Sequence, residues 1–140
     1  MRVIVAIVFS LSLFLASAPV SAHHAFAVEF DAKNCADVTG VLTRVDYQNP
    51  HAYLYLAVKD ASGDTVEAAF QLSSTSNLHR GGATVPVFNA SLNKEVMIRG
   101  CAARSGEPHR YAASYVRLSD GTVQRVGQDV EGVFGNRIWR

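Results

Sequence analysis

The 140-residue chain lacks an excess of either charge, because 13 lysines and arginines stand against 12 aspartates and glutamates. A protein that binds DNA or RNA needs a basic surface that displaces counterions from the phosphates. The balanced charge therefore argues against nucleic acid as a partner.

The chain also lacks the short motifs of common catalytic sites. It contains no Gly-x-Ser-x-Gly elbow, no His-Glu-x-x-His helix, no phosphate-binding glycine loop and no Cys-x-x-Cys pair. Carboxylates such as Asp46 and Glu67 occur singly in strand-like segments, where charged side chains usually face solvent. We expect a protein that is not an enzyme.

Only one long apolar run is present, and it lies at the start of the chain. Residues 3–16 are apolar except for two serines, and Val20-Ser21-Ala22 supplies the small residues that signal peptidase requires. The run is shorter than the roughly 20 residues of a membrane-spanning helix. We predict a signal peptide over residues 1–22, cleavage between Ala22 and His23, and a periplasmic or secreted protein without a stable membrane anchor.

Apolar residues alternate with a period of two in five later segments, which predicts five β-strands. The first begins at Val38 and ends at Asn49-Pro50, and the others cover residues 51–59, 66–72, 95–100 and 109–118. On the second strand, the side expected to line the core carries Ala52, Leu54, Leu56 and Val58. On the first strand, one side carries Val41, Thr43, Val45 and Tyr47, and the other carries Leu42, Arg44, Asp46 and Gln48.

The segment between the third and fourth strands, residues 73–93, is predicted to cross from one strand to the other. Its serines and threonine can cap a short helical turn, Gly81-Gly82 ends that turn, and Pro86 is expected to prevent regular helix afterwards. Three strands, a short helical crossover and two strands are the order of an OB-type barrel.

We therefore predict an all-β fold, a small five-stranded antiparallel OB-like barrel with a short helical crossover, over residues 38–126. An N-terminal arm, residues 23–37, precedes it, and a C-terminal tail or strap, residues 127–140, follows it. The strand count alone leaves a small β-sandwich as the alternative.

The chain has only two cysteines, and in an exported protein they most simply form one disulfide, Cys35 to Cys101. In the OB topology the first and fourth strands pair antiparallel, which brings the start of one beside the end of the other. Both cysteines lie at these positions. The alternative is two buried thiols that act as small hydrophobic side chains.

The histidines form the first candidate site. After cleavage, His23 offers a free amine and its own imidazole as a chelate, and a third nitrogen from His24 or a later histidine gives a set that suits copper. His51 and His109 follow prolines at two junctions that border the usual binding face of an OB barrel. We predict a metal site, copper first, from His23, His24, His51 and His109. The alternative is a solvated arm and a strand-edge histidine satisfied by the backbone.

The tyrosines form the second candidate site. Tyr53 and Tyr55 share the side of the second strand opposite its apolar residues, and Tyr47 lies one junction away. Aromatic rings with polar tips on an open barrel face suit a sugar, a small molecule or a partner protein. Tyrosine is also a favoured strand residue, so packing within the protein is the alternative.

Several stretches resemble, in order and spacing, the exported bacterial proteins of the domain-of-unknown-function family 6152. They are HHAFAVEFDAK, VTGVLTRVDYQNPHAYLYLAVKD, NLHRGG, VMIRGCAARSG and VRLSDG. His23-His24 and Asn49-Pro50-His51 are the most specific elements. The chain has Arg80-Gly81-Gly82 where the family usually has Arg-Gly-Trp, and Cys101 where an aromatic residue is frequent. The resemblance implies an exported protein of this fold and assigns no activity.

The cleavage site gives a direct prediction. N-terminal sequencing of protein purified from its own compartment should begin His-His-Ala-Phe, because the small residues before His23 fit signal peptidase. A sequence that begins at Met1 or at Pro19 would remove the free amine from the proposed copper site.

Overall fold

The five apolar segments form the walls of a closed barrel. The computed structural model describes residues 28–127, and the elements among them are β1 (Phe30–Asp46), β2 (Tyr53–Lys59), β3 (Thr65–Gln71), α1 (Thr75–Arg80), α2 (Val85–Asn89), β4 (Glu95–Ala103), β5 (Arg110–Arg117) and β6 (Val123–Arg125). No helix within this range is long and apolar enough to cross a membrane.

The strands follow one another in the order β3-β2-β1-β4-β5-β6, and a pairing between β3 and β5 closes the first five into a barrel. The predicted small all-β barrel is confirmed, and the sandwich alternative does not describe the molecule. The closing contact is parallel, with Ala69 opposite Arg110 and Gln71 opposite Ala112. The barrel is therefore mixed, whereas a wholly antiparallel one was predicted.

β1 is longer than predicted. It begins at Phe30, so residues 30–37, which were assigned to the N-terminal arm, belong to a strand paired with β4. Period-two alternation of apolar residues is weak there, because this part of the strand has a neighbour on one side only and much of it is exposed. β6 was also not predicted, because its three residues are too few to show a period.

A β-bulge divides β1 into two halves that present opposite alternations. The register with β2 shifts between Leu42 and Arg44, where one extra residue enters β1. Before the bulge, Leu42 is fully buried and Val41 is 39% exposed. After it, Val45 and Tyr47 pack against the core. The single alternation predicted through this strand therefore does not continue across the bulge.

The crossover contains two helices, where one helical turn was predicted. The Ser74 side chain caps α1 by accepting a hydrogen bond from the backbone N–H of Asn77. Pro86 lies in the first turn of α2, where its missing N–H removes no helical hydrogen bond. The expectation that Pro86 prevents regular helix was therefore wrong. Leu78 and Phe88 anchor the two helices in the core.

The barrel interior is filled by side chains from all five strands. On β2 the four residues predicted to line the core are all buried. Leu54, Phe70, Ile98 and Val116 are completely buried at the centre. Because these side chains fill the interior, space for a ligand must lie at the ends or on the outside of the barrel.

The predicted disulfide is confirmed. Cys35 of β1 and Cys101 of β4 are directly opposite each other in the register, and their sulfur atoms are bonded. The bridge joins residues 66 positions apart. It therefore restricts a long loop of the unfolded chain.

Replacing both cysteines, Cys35→Ala with Cys101→Ala, should lower the free energy of unfolding by about 4 kcal/mol in the chain-entropy model for a loop of this length. Urea denaturation monitored by circular dichroism measures the difference, and reduced wild-type protein provides the control. An unchanged midpoint would show that the bridge does not stabilise the fold.

Gly40 gives a second test of how the barrel closes. A Cβ atom at this position would lie 2.6 Å from the carbonyl oxygen of Ala57 and 2.8 Å from Cγ1 of Val58. Gly40→Ala should therefore destabilise the protein by roughly 1–3 kcal/mol, as overpacking does. Gly81→Ala is the matched control in the same denaturation assay, because its nearest heavy atoms would lie at 3.5 Å or more. Equal stability of the two variants would contradict the close contact.

Candidate functional site

A cavity of about 710 Å³ lies where β2, β3 and α1 meet the two ends of the described chain. We call it the His51 cavity. Its lining consists of Glu29, Phe30, Pro50, His51, Gln71, Leu72, Ser73, Ser74, Asn77, Leu78, Gly81, Ala112, Ala113, Arg125, Val126 and Gly127. The volume lies within the range of about 300–1,000 Å³ typical of small-molecule sites.

The backbone around His51 is fixed by the end of the β2–β3 ladder. The N–H of Ala52 donates to the carbonyl of Ser73, and the N–H of Leu72 donates to the carbonyl of Ala52. His51 Nδ1 lies 3.1 Å from the carbonyl oxygen of Leu72. A carbonyl only accepts, so Nδ1 carries the proton and the Nε2 of the neutral ring carries a lone pair. The sequence does not reveal this tautomer, because it depends on the register of β2 and β3.

His109 lies elsewhere on the barrel. It precedes β5, and its carbonyl accepts a hydrogen bond from Ala69 of β3. His51 contacts the Leu72 carbonyl on the β2 side of the third strand, whereas the His109 carbonyl contacts Ala69 on the β5 side. The two contacts are three residues apart along this strand, about 10 Å, and lie on its opposite edges. The structure therefore does not bring His51 and His109 together.

The remaining members of the predicted metal site, His23 and His24, lie outside the described residues. Within residues 28–127, no group of three or more histidine, cysteine, aspartate or glutamate side chains has the geometry to hold a metal ion. His79 is exposed on α1. The metal site remains a prediction that needs His23 or His24 to complete it.

Tyr53 and Tyr55 lie on the outer side of β2, as predicted, with ring centroids 6.1 Å apart and planes inclined by 27°. The guanidinium of Arg44 lies 3.4 Å above the centroid of Tyr55 and pairs with Glu67 at 3.3 Å. A cation over an aromatic face is a favourable contact. These rings are thus already engaged within the protein, which reduces the surface on which a sugar or other flat ligand could stack.

Tyr53 connects this outer face to the His51 cavity. Its hydroxyl donates to Oε1 of Gln71 at 2.9 Å, and Gln71 lines the cavity. Arg110 pairs with Glu29 at 3.0 Å and places its positive charge near Tyr53. Burial raises the pKa of Tyr53, and the positive charge of Arg110 opposes part of that increase. Sequence reasoning missed Gln71, Arg110 and Glu29, because the pairing of β3 with β5 and the position of Glu29 bring them together from distant parts of the chain.

Tyr47 does not share the face of the other two tyrosines. Its ring packs against the core near Phe88, and its hydroxyl lies 3.1 Å from the carbonyl oxygens of Thr75 and Ala83. Burial raises its pKa. The side chain ties the end of β1 to the crossover, so its geometry gives no support to the predicted role in ligand binding.

The strand order and the closure of β3 on β5 define the class, a small β-barrel of the OB type. A family model described as "Family of unknown function (DUF6152)" matches residues 11–112, and the chain belongs to this family. No curated protein and no solved structure matches the chain. The matched range includes every described residue assigned to either candidate site except Ala113, Arg125, Val126 and Gly127.

The raised pKa values of the tyrosines predict how stability depends on pH. The free energy of unfolding should fall as the pH rises above about 10, because the unfolded chain then loses tyrosine protons that the folded protein retains. Below that pH the contribution is complete. The Tyr47→Phe variant should lose about 1 kcal/mol near neutral pH through its missing hydrogen bond and should show a shallower fall at alkaline pH. Urea denaturation at a series of pH values measures both effects, and an unchanged slope would contradict the assignment.

Proposed function

We propose that the protein is an exported, non-enzymatic binding protein that holds a transition-metal ion, with Cu(II) as the first choice, at the His51 cavity. In this proposal His51 and the mature N-terminus at His23 supply nitrogen ligands, and His24 adds another. Periplasmic or secreted location and removal of residues 1–22 are parts of the same proposal. Nucleic acid and a membrane anchor have no role in it.

The observation that carries the proposal is the hydrogen bond from His51 Nδ1 to the Leu72 carbonyl. Histidines that bind metals usually donate their other ring N–H to a carbonyl or carboxylate, which fixes the ring and its tautomer. His51 is prepared in this way, and its Nε2 has a lone pair available for an ion. Its side chain lines a cavity with room for further ligands.

The length of the N-terminal segment supports the proposed partners of His51. Glu29 lines the same cavity as His51, and His23 precedes Glu29 by six residues. Six residues span at most about 20 Å when extended. The chain is therefore long enough for His23 and His24 to reach His51. The amine and imidazole nitrogens of such a set favour copper over harder cations.

Isothermal titration of correctly cleaved protein with Cu(II) and Zn(II) tests the proposal. Cu(II) should bind more tightly than Zn(II), in the order that nitrogen sites usually follow. The His51→Asn variant should lose roughly tenfold or more in Cu(II) affinity, whereas His79→Asn should bind as the wild type does. Asparagine keeps a polar side chain in both places, so the two variants are matched.

A protein carrying one additional residue before His23 separates the N-terminal contribution from that of His51. It should bind Cu(II) more weakly, because its free amine is no longer on the residue that carries the chelating imidazole. Equal affinity in this protein would exclude the N-terminal chelate, and equal affinity in His51→Asn would exclude the cavity.

A further inference from the structure

We propose that the His51 cavity also binds a small amphipathic organic molecule, and that the side-chain amide of Gln71 donates a hydrogen bond to an acceptor group on it. This ligand is distinct from the metal ion proposed above and does not depend on it. Tyr53, on the outside of the barrel, acts as the positioning residue for Gln71.

A hydrogen bond from Tyr53 fixes the orientation of the Gln71 amide. The Tyr53 hydroxyl has one proton, and it donates this proton to Oε1 of Gln71 at 2.9 Å. The amide oxygen therefore faces Tyr53, and the NH₂ group is the end left for another partner.

The Gln71 NH₂ group has no hydrogen-bond partner among residues 28–127. Two serines of the cavity add donors, because the hydroxyl oxygens of Ser73 and Ser74 accept from Asn77 and keep their own protons for another acceptor. A ligand with a carbonyl, carboxylate or sulfonate oxygen would satisfy these groups.

Apolar side chains form much of the remaining cavity lining, beside Glu29, His51, Asn77 and Arg125, and they determine the other half of the ligand. Phe30, Leu72, Leu78 and Val126 line the cavity, and each is at least 97% buried. An apolar wall with a few convergent polar groups is the usual composition of a small-molecule site. The volume of about 710 Å³ far exceeds the requirement of one metal ion and its ligands. The ligand class is therefore an apolar body that carries one strong hydrogen-bond acceptor.

Two fluorescent probes test both halves of this proposal in the full mature chain, freed of metal by a chelator. 1-Anilinonaphthalene-8-sulfonate has an apolar body and a sulfonate acceptor, and N-phenyl-1-naphthylamine has the same body without the acceptor. Both should bind the wild type. Gln71→Leu should weaken the sulfonate probe by roughly three- to tenfold, the effect of one lost hydrogen bond, and should leave the other probe almost unchanged.

Tyr53→Phe should weaken the sulfonate probe in the same direction, and the double variant should lose no more than Gln71→Leu alone, because both substitutions act through one amide. Gln48→Leu is the matched control, since Gln48 is exposed and bonds to Asp46 away from the cavity. Far-UV circular dichroism establishes that each variant is folded. If Gln71→Leu does not fold, Tyr53→Phe provides the test in its place.

Three results would overturn the proposal. The first is that neither probe binds the full chain. The second is that Gln71→Leu lowers the affinity for both probes equally. The third is that the losses of affinity of the two single variants add up in the double variant. Cu(II) titration of Gln71→Leu keeps this test separate from the metal proposal, because the variant should bind Cu(II) as the wild type does. If the wild type binds Cu(II) but neither probe, the organic-ligand proposal fails. If it binds the probes but not Cu(II), the metal proposal fails.

Discussion

The barrel depends on one strand that must pair with two neighbours at once. The first part of β1 pairs with β4 and its last part pairs with β2, and Val41 has partners in both, Ala57 and Glu95. Because the sheet closes into a small barrel, a strand of 17 residues must also curve between these two neighbours. Gly40, which has no Cβ to strike Ala57, and the bulge after Leu42 allow that curvature.

Both candidate sites follow from this geometry. The start of β1 is held against β4 by the Cys35–Cys101 bridge and by the two hydrogen bonds from Arg99 to Asp37, at 2.8 and 3.0 Å. These contacts place Glu29 in the cavity lining, where it forms an ion pair with Arg110. At the other end, the bulge turns Arg44 outward, where it covers Tyr55. A change at Gly40 or at the disulfide therefore acts on the site as well as on stability.

Much of the fold was predictable from the sequence because strands with one buried side show a period of two, and β2 followed this rule at every buried position. The cysteines then indicated that the start of β1 lies beside the end of β4, as the structure confirms. The rule failed at Thr43, where one inserted residue reverses the alternation without any change in composition. A second rule, that proline interrupts a helix, failed at Pro86, because a proline ends a helix only when it lies beyond the first turn.

The candidate site was less predictable, because its chemistry depends on the hydrogen-bond partners of its residues and not only on the residue types. A sequence shows that His51 and Gln71 are present, but not that Leu72 fixes the tautomer of one and Tyr53 the orientation of the other. These two contacts give the cavity an acceptor at His51 Nε2 and a donor at the Gln71 amide. A cation requires the first group and an organic acceptor requires the second. The two proposals for this one cavity therefore rest on different side chains, and so do their tests.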